Sequence, residues 1–183
     1  MDVLITLTHR FRLHILLMTV SIVSVAAFAD DTGPTRADQM KAASIVKFAR
    51  YIHWSDAESD SNDRANKSIC ILGKDPYNGA LQALQDSANI TVRQLDNIDQ
   101  TTGCRMLVIG ESEPGRLDQV LRALEGQKMV TISEINGFTD QGGMIRLYAE
   151  NNRIRFDINQ GAARDVQLRF DLRLTRLATT VID

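Results

Sequence analysis

The run from residue 142 to 164 constrains this chain most. Gly142-Gly143 interrupts the backbone, after which Ile145, Leu147 and Ala149 alternate with Arg146, Tyr148 and Glu150. Asn151-Asn152 follows, a pair that tolerates the positive φ of a two-residue turn. Ile154, Phe156 and Ile158 then alternate with Arg153, Arg155, Asp157 and Asn159. A period of two with one apolar and one charged face predicts a half-buried antiparallel hairpin. Asn159 is placed to cap a short helix opening at Gln160-Gly161-Ala162. Strand parity turns Ile154, Phe156 and Ile158 toward the core and Arg153, Arg155, Asp157 and Asn159 outward, with Gln160 and Arg164 continuing that outer strip.

Upstream, residues 37–52 read as a helix with a wide apolar stripe, ending at His53-Trp54. Residues 55–67, rich in Asp, Ser and Asn, read as an exposed loop. Strand and helix then alternate. The almost wholly apolar run 68–72 suits a buried parallel strand. Gly73-Lys74-Asp75-Pro76 turns it into a helix, with Asp75 as cap and Pro76 at the first helical position. Further strands fall at 90–95, 105–109 and 129–132. Between the last two, Leu117, Val120, Leu121 and Leu124 mark a helix stopped by Gly126. Parallel βαβα units followed by a hairpin predict an α/β fold, a three-layer sandwich with a mixed, mostly parallel sheet and a C-terminal β-hairpin.

Residues 1–29 read as a secretory signal peptide. Arg10 and Arg12 supply a basic start, 15–25 an uncharged apolar stretch, and Ala27-Phe28-Ala29 a small-x-small site before Asp30-Asp31. A membrane anchor is the competing reading, but the strictly apolar part is short of the ~20 residues a span needs. Cleavage leaves residues 30–183, that is 183 − 29 = 154 residues, expected to form a single domain. The net charge of −2 becomes −3, because Arg10 and Arg12 outweigh Asp2 by one in the leader. Such a domain has no electrostatic reason to seek nucleic acid, and nothing later in the chain looks membrane-spanning. Both cysteines, Cys70 and Cys104, fall in the exported part, where an even count favours a disulfide between them. Two buried free thiols are the alternative.

The exported part has one histidine, His53. A pair of histidines on zinc within one chain is therefore excluded, and any nucleophile–histidine arrangement must use His53. Its place at a helix end suits packing or capping better. The Gly73-Lys74 turn lacks the spaced glycines and Lys-Ser/Thr of a phosphate loop. Asp75, Glu111 and Glu113 share the expected carboxyl end of the sheet without a partner base or metal set. No cofactor and no enzymatic activity are expected. Phe48, Tyr51 and Trp54 read as core before they read as a ligand wall. The outward strip Arg153, Arg155, Asp157, Asn159, Gln160 and Arg164 is the best partner-facing candidate.

Five segments in order carry a family resemblance: KAASIVKFARYIHW (41–54), ICILGKDPYNGAL (69–81), CRMLVIGESE (104–113), ISEINGFTDQGGMI (132–145) and GGMIRLYAENNRIRFDINQGAAR (142–164). Together they resemble the YfiR/HmsC-like family of small periplasmic proteins, over nearly all of residues 40–164. Ser55 stands where that family usually has Pro, and Phe170-Asp171 where a Ser-Ser pair is common. A second cysteine pair found near the hairpin in some relatives is absent, so redox control through it does not carry over. The resemblance implies a non-enzymatic, dimeric periplasmic regulator. It would inhibit a membrane-bound diguanylate cyclase by binding its periplasmic sensor part, restraining cyclic di-GMP and biofilm output. A different membrane sensor as partner, a periplasmic small-ligand binder with a pocket near Gly73, Asp75, Gly110 and Ser112, and an accessory subunit of an envelope complex remain open.

Overall fold

The structure is a computed structural model that describes residues 33–54, 67–110 and 114–183. The expected leader, nearly all of the 55–67 loop, and Glu111, Ser112 and Glu113 lie outside the described residues. The first helix, α1 (Arg36–Phe48), starts with a capping box. The Asp38 N–H donates to Thr35 Oγ1 at 3.1 Å, and the Thr35 N–H donates to Asp38 Oδ2 at 3.0 Å. Ala42, Ile45 and Phe48 are its buried stripe, whereas Met40 is partly exposed. The helix ends earlier than its apolar pattern implies. It tightens into a 3₁₀ turn (Ala49–Tyr51) and passes into a short strand, β1 (Ile52–His53).

Next come β2 (Ser68–Leu72), the short helices α2 (Ala80–Ala83) and α3 (Gln85–Ala88), β3 (Thr91–Leu95), β4 (Met106–Ile109), α4 (Leu117–Ala123) and β5 (Val130–Ser133). The hairpin is β6 (Ile145–Glu150) and β7 (Arg153–Asn159), and α5 (Gln160–Asp165) follows it. The last segment supplies β8 (Arg169–Phe170), α6 (Leu172–Thr175) and β9 (Thr180–Ile182). The helix expected at Pro76 is a turn instead, because Asn78 and Gly79 take positive φ of 47° and 85°. Asp75 still caps it, accepting from the N–H groups of Tyr77 at 2.8 Å and Gly79 at 2.9 Å.

Among the described residues the main sheet has seven strands in the order β3-β2-β4-β5-β6-β7-β9. All pairs are parallel except β6 with β7. A second, two-stranded sheet pairs β1 with β8, antiparallel. Parity gives the main sheet two cores. On one face Ile71, Val108, Ile132, Leu147 and Phe156 pack with α1, α2 and α5, and the Phe48 and Phe156 ring centroids are 4.9 Å apart. On the other, Cys70, Leu72, Leu107 and Ile109 pack under Leu117 and Val120 of α4, under Leu124 at its end and under Phe138. The result is the α/β sandwich with a mixed, mostly parallel sheet and helices on both faces.

Cys70 in β2 and Cys104 just before β4 are disulfide-bonded, with Cα atoms 5.8 Å apart. Their strands are parallel neighbours, with Cys70 opposite Leu107, so the bridge ties adjacent strands within one core.

Candidate functional site

The hairpin turn forms as its sequence implies. Asn151 and Asn152 take φ of 50° and 58°, the doubly left-handed turn whose twist suits flanking strands. The turn sets the register Glu150↔Arg153, Tyr148↔Arg155 and Arg146↔Asp157. These six residues share the face that also carries α4, yet the core beneath α4 includes no residue of β6 or β7. That part of the sheet is covered by its own polar side chains.

Arg146 organises this surface. Its Nη1 lies 3.4 Å from Asp157 Oδ2, and its Nη2 donates to Asn136 Oδ1. Its guanidinium stacks on the Tyr148 ring at 4.4 Å from the centroid, and the Tyr148 hydroxyl donates to Asp157 Oδ1 at 3.4 Å. Arg155 reaches Glu150 at 3.8 Å beside the turn of the hairpin, with both side chains about half exposed. An exposed pair of this kind contributes at most ~1 kcal/mol, so Glu150 holds Arg155 only weakly.

The six strip residues separate in this structure. Arg153 is exposed, Arg155 is half-buried, and both face solvent at the hairpin tip. Asp157 lies on the expected face but is only 7% exposed, which corrects the expectation that it stands outside. Arg146 and Tyr148 lie over it. Asn159 is half-buried and occupied: Oδ1 accepts from the Ala162 N–H at 2.9 Å as the cap of α5, and Nδ2 donates to the Thr139 carbonyl at 2.9 Å. Gln160 is half-buried, and Arg164 is exposed with its Nη1 3.2 Å from Asp183 Oδ1. Arg146, the hub, was absent from the strip. Counting back from the two-residue turn would have found it opposite Asp157.

The crevice expected near Gly73, Asp75, Gly110 and Ser112 is closed where it is described. It sits between the exits of β2 and β4, where strand order reverses and α/β folds bind ligands. Here the Gly110 N–H donates to the Leu72 carbonyl at 2.9 Å, and a Cβ on Gly110 would collide with the Lys74 carbonyl oxygen. The turn after β2 fills its own crevice. A cleft of about 620 Å³ lies instead at the opposite end of the sheet, between α4, α5 and β9. Leu121, Met129, Met144 and Val166 line it together with Arg122 and Asp165.

His53 is exposed in β1, with Nε2 3.5 Å from Asp171 Oδ2. That carboxylate is gripped by Arg173 at 3.0 and 2.9 Å, and these hydrogen bonds, chiefly, hold its pKa far below the ordinary range. Phe48 is core, while Tyr51 and Trp54 stack under Arg173 and Arg105 at 5.4 and 5.2 Å. The aromatic trio therefore packs and stacks. Both cysteines are consumed in the bridge. No cluster of three or more metal-ligating side chains occurs among the described residues.

A family model described as YfiR/HmsC-like matches residues 38–179, from the first turn of α1 to the approach to β9. The chain belongs to the YfiR/HmsC-like family. The match runs beyond the hairpin and takes in β8 and α6, the segment where the sequence departs from the usual Ser-Ser pair. Among solved structures, a conserved domain protein from Vibrio cholerae superposes with a TM-score of 0.58 at 9% identity, over 79% of this chain and 60% of that one. The ABC domain from Streptococcus pneumoniae, solved in complex with L-Trp, gives 0.56 at 10% identity, over 80% of this chain and 60% of that one. The chain thus spans about 60% of the length of each. At such identities the likeness is one of fold.

Proposed function

We propose that this YfiR/HmsC-like protein is a periplasmic regulator that acts by binding the periplasmic part of a membrane sensor. The sensor is a diguanylate cyclase, whose output of cyclic di-GMP, and with it biofilm formation, falls on binding. The family match over residues 38–179 supports the regulatory class, and the leader-like residues 1–29 support export. The observation that carries the reading is the hairpin face. Arg153 and Arg155 project from a rigid two-stranded element whose register is pinned by Arg146 and Asp157. Charged forks held on a fixed frame suit recognition of a partner's polar surface. The active form is a homodimer, with the hairpin of each copy turned to the sensor.

The test is the double charge reversal Arg153→Glu/Arg155→Glu. It should abolish co-purification with the sensor's periplasmic part and raise cyclic di-GMP in cells, with the melting temperature unchanged. Unaltered binding and unaltered cyclic di-GMP would leave the strip a solvated face.

The 620 Å³ cleft favours a second reading, a small-ligand binder. Met129, Met144, Leu121 and Val166 offer an apolar floor, with Arg122 and Asp165 at the wall. The S. pneumoniae domain of similar fold holds L-Trp, which makes amphipathic amino acids the first ligands to try. Calorimetric titration decides it: saturable heat lost in Met144→Arg supports this reading, and no heat rejects it.

A further inference from the structure

The C-terminal segment carries an exposed patch of leucine and arginine that neither reading uses. In α6, Leu174 is buried at 2% exposure, whereas Leu172 and Leu177 are 61% and 71% exposed. The helical turn continues past α6: the Arg176 N–H donates to the Leu172 carbonyl at 3.1 Å, and the Leu177 N–H to that of Leu174 at 3.0 Å. At ~100° per residue, Leu172, Arg173, Arg176 and Leu177 fall within an arc of about 140°, and Leu174 lies outside it. Arg169 precedes them in the strand that leads to Asp171. It is exposed in β8, in register with His53.

Arg173 is fixed by Asp171 and by the Tyr51 ring beneath it. Asp171 is the one acid in this stretch and is itself engaged, so residues 169–177 carry three arginines against one aspartate, net +2, in a chain of net −2. A single exposed leucine means little, but two leucines interleaved with arginines on one turn form a patch of defined chemistry.

We infer that Leu172 and Leu177, with Arg169, Arg173 and Arg176, form a peripheral docking face for a bilayer surface of anionic phospholipid. The leucines enter the boundary between headgroups and acyl chains, and the guanidiniums bind lipid phosphates. Charge complementarity favours the lipid over a second copy of this chain, since a two-fold contact through this face sets its arginines against their own kind. No helix among the described residues is long and apolar enough to cross a membrane. The contact is therefore a surface one, and it stands independently of the sensor-binding reading.

Vesicle co-sedimentation tests it, using equal parts of phosphatidylglycerol and phosphatidylcholine, with pure phosphatidylcholine in parallel. Variants are compared with the wild-type chain, so any contribution of residues 1–29 is common to both. Arg169→Gln/Arg176→Gln leaves the Asp171–Arg173 anchor intact. It should lower partitioning onto anionic vesicles roughly 25-fold, about fivefold per arginine, and leave partitioning onto phosphatidylcholine unchanged. Leu172→Ser/Leu177→Ser should lower anionic partitioning at least about tenfold without loss of thermal stability. Variants that partition like wild type, or an arginine effect equal on both lipids, would overturn the inference. So would leucine variants that change the mass in light scattering but not the vesicle binding, which would assign the face to a second copy.

Discussion

Arg146 and Asp157 stand directly opposite each other in the hairpin, with Nη1 and Oδ2 3.4 Å apart and both side chains largely withdrawn from solvent. Removing the acid strands a guanidinium in a half-buried site. Asp157→Ala should therefore lower the unfolding free energy by about 2–3 kcal/mol. Arg146→Ala/Asp157→Ala should cost clearly less than the sum of the two single changes, because neither charge is then left alone. Urea denaturation of the four proteins reads this coupling, and strict additivity would show that the two residues do not interact.

Phe156 is the apolar counterpart on the reverse face, 9% exposed and packed on Phe48. Phe156→Ala should cost about 3–5 kcal/mol, and Phe156→Asp should prevent folding. Circular dichroism and solubility after expression distinguish this from Arg155→Glu, which should stay folded.

The Cys70–Cys104 bridge has a sequence separation of 34, which corresponds to roughly 3–4 kcal/mol of loop entropy removed from the unfolded chain. Cys70→Ala/Cys104→Ala should lower the unfolding free energy by about that amount, read as a lower urea midpoint at unchanged slope. Reductant should then have no further effect on the variant while still lowering the midpoint of wild type. Peptide mapping without reductant should recover the joined peptides from exported protein.

Burial alone would raise the Asp38 carboxyl pKa. Hydrogen bonds from the Thr35 N–H, the Thr35 side chain and Asn78, with Lys41 nearby, outweigh burial and hold it below its ordinary value of 3.8. A folded value below the unfolded one stabilises the protein fully above about pH 4, and that contribution disappears as pH falls through the lower folded value. Asp38→Ala removes the reciprocal half of the capping box and the Asn78 contact, and should thus cost about 1 kcal/mol near neutrality. The gap to wild type should shrink on acidification below about pH 4. A gap that is constant down to about pH 2 would show that the carboxylate is not the source of the stabilisation.

The hairpin was the most legible part of the chain because a two-residue turn converts spacing into register, and register places Arg146 against Asp157. Depth was not legible. Parity assigns Asp157 to a face, but the cover over it comes from long side chains at Arg146 and Tyr148, which a period of two does not describe. The turn at Asn78-Gly79 was missed because Asp75-Pro76 opens a helix and a turn equally well, and positive φ at the next two residues decides between them. The closed crevice at Gly110 arises from a tertiary approach of the Lys74 carbonyl, which no local pattern reports. β9 has three residues, all at least partly exposed, so it lacks the buried alternation that reveals a strand. Its place beside β7 follows from the path of the chain through α6.

The disulfide has a topological effect distinct from its contribution to stability. β3 is an outermost strand of the main sheet, and outermost strands are what neighbouring molecules exchange when a hinge opens. Here β3, with α2 and α3 before it, lies inside the covalent ring closed between residues 70 and 104. Handing that strand to another copy would mean displacing a loop held at both ends, where an exchanged element is usually an arm with one free end. Oxidation thus tethers β3 to its own chain at both ends, and reduction is what would release one of them.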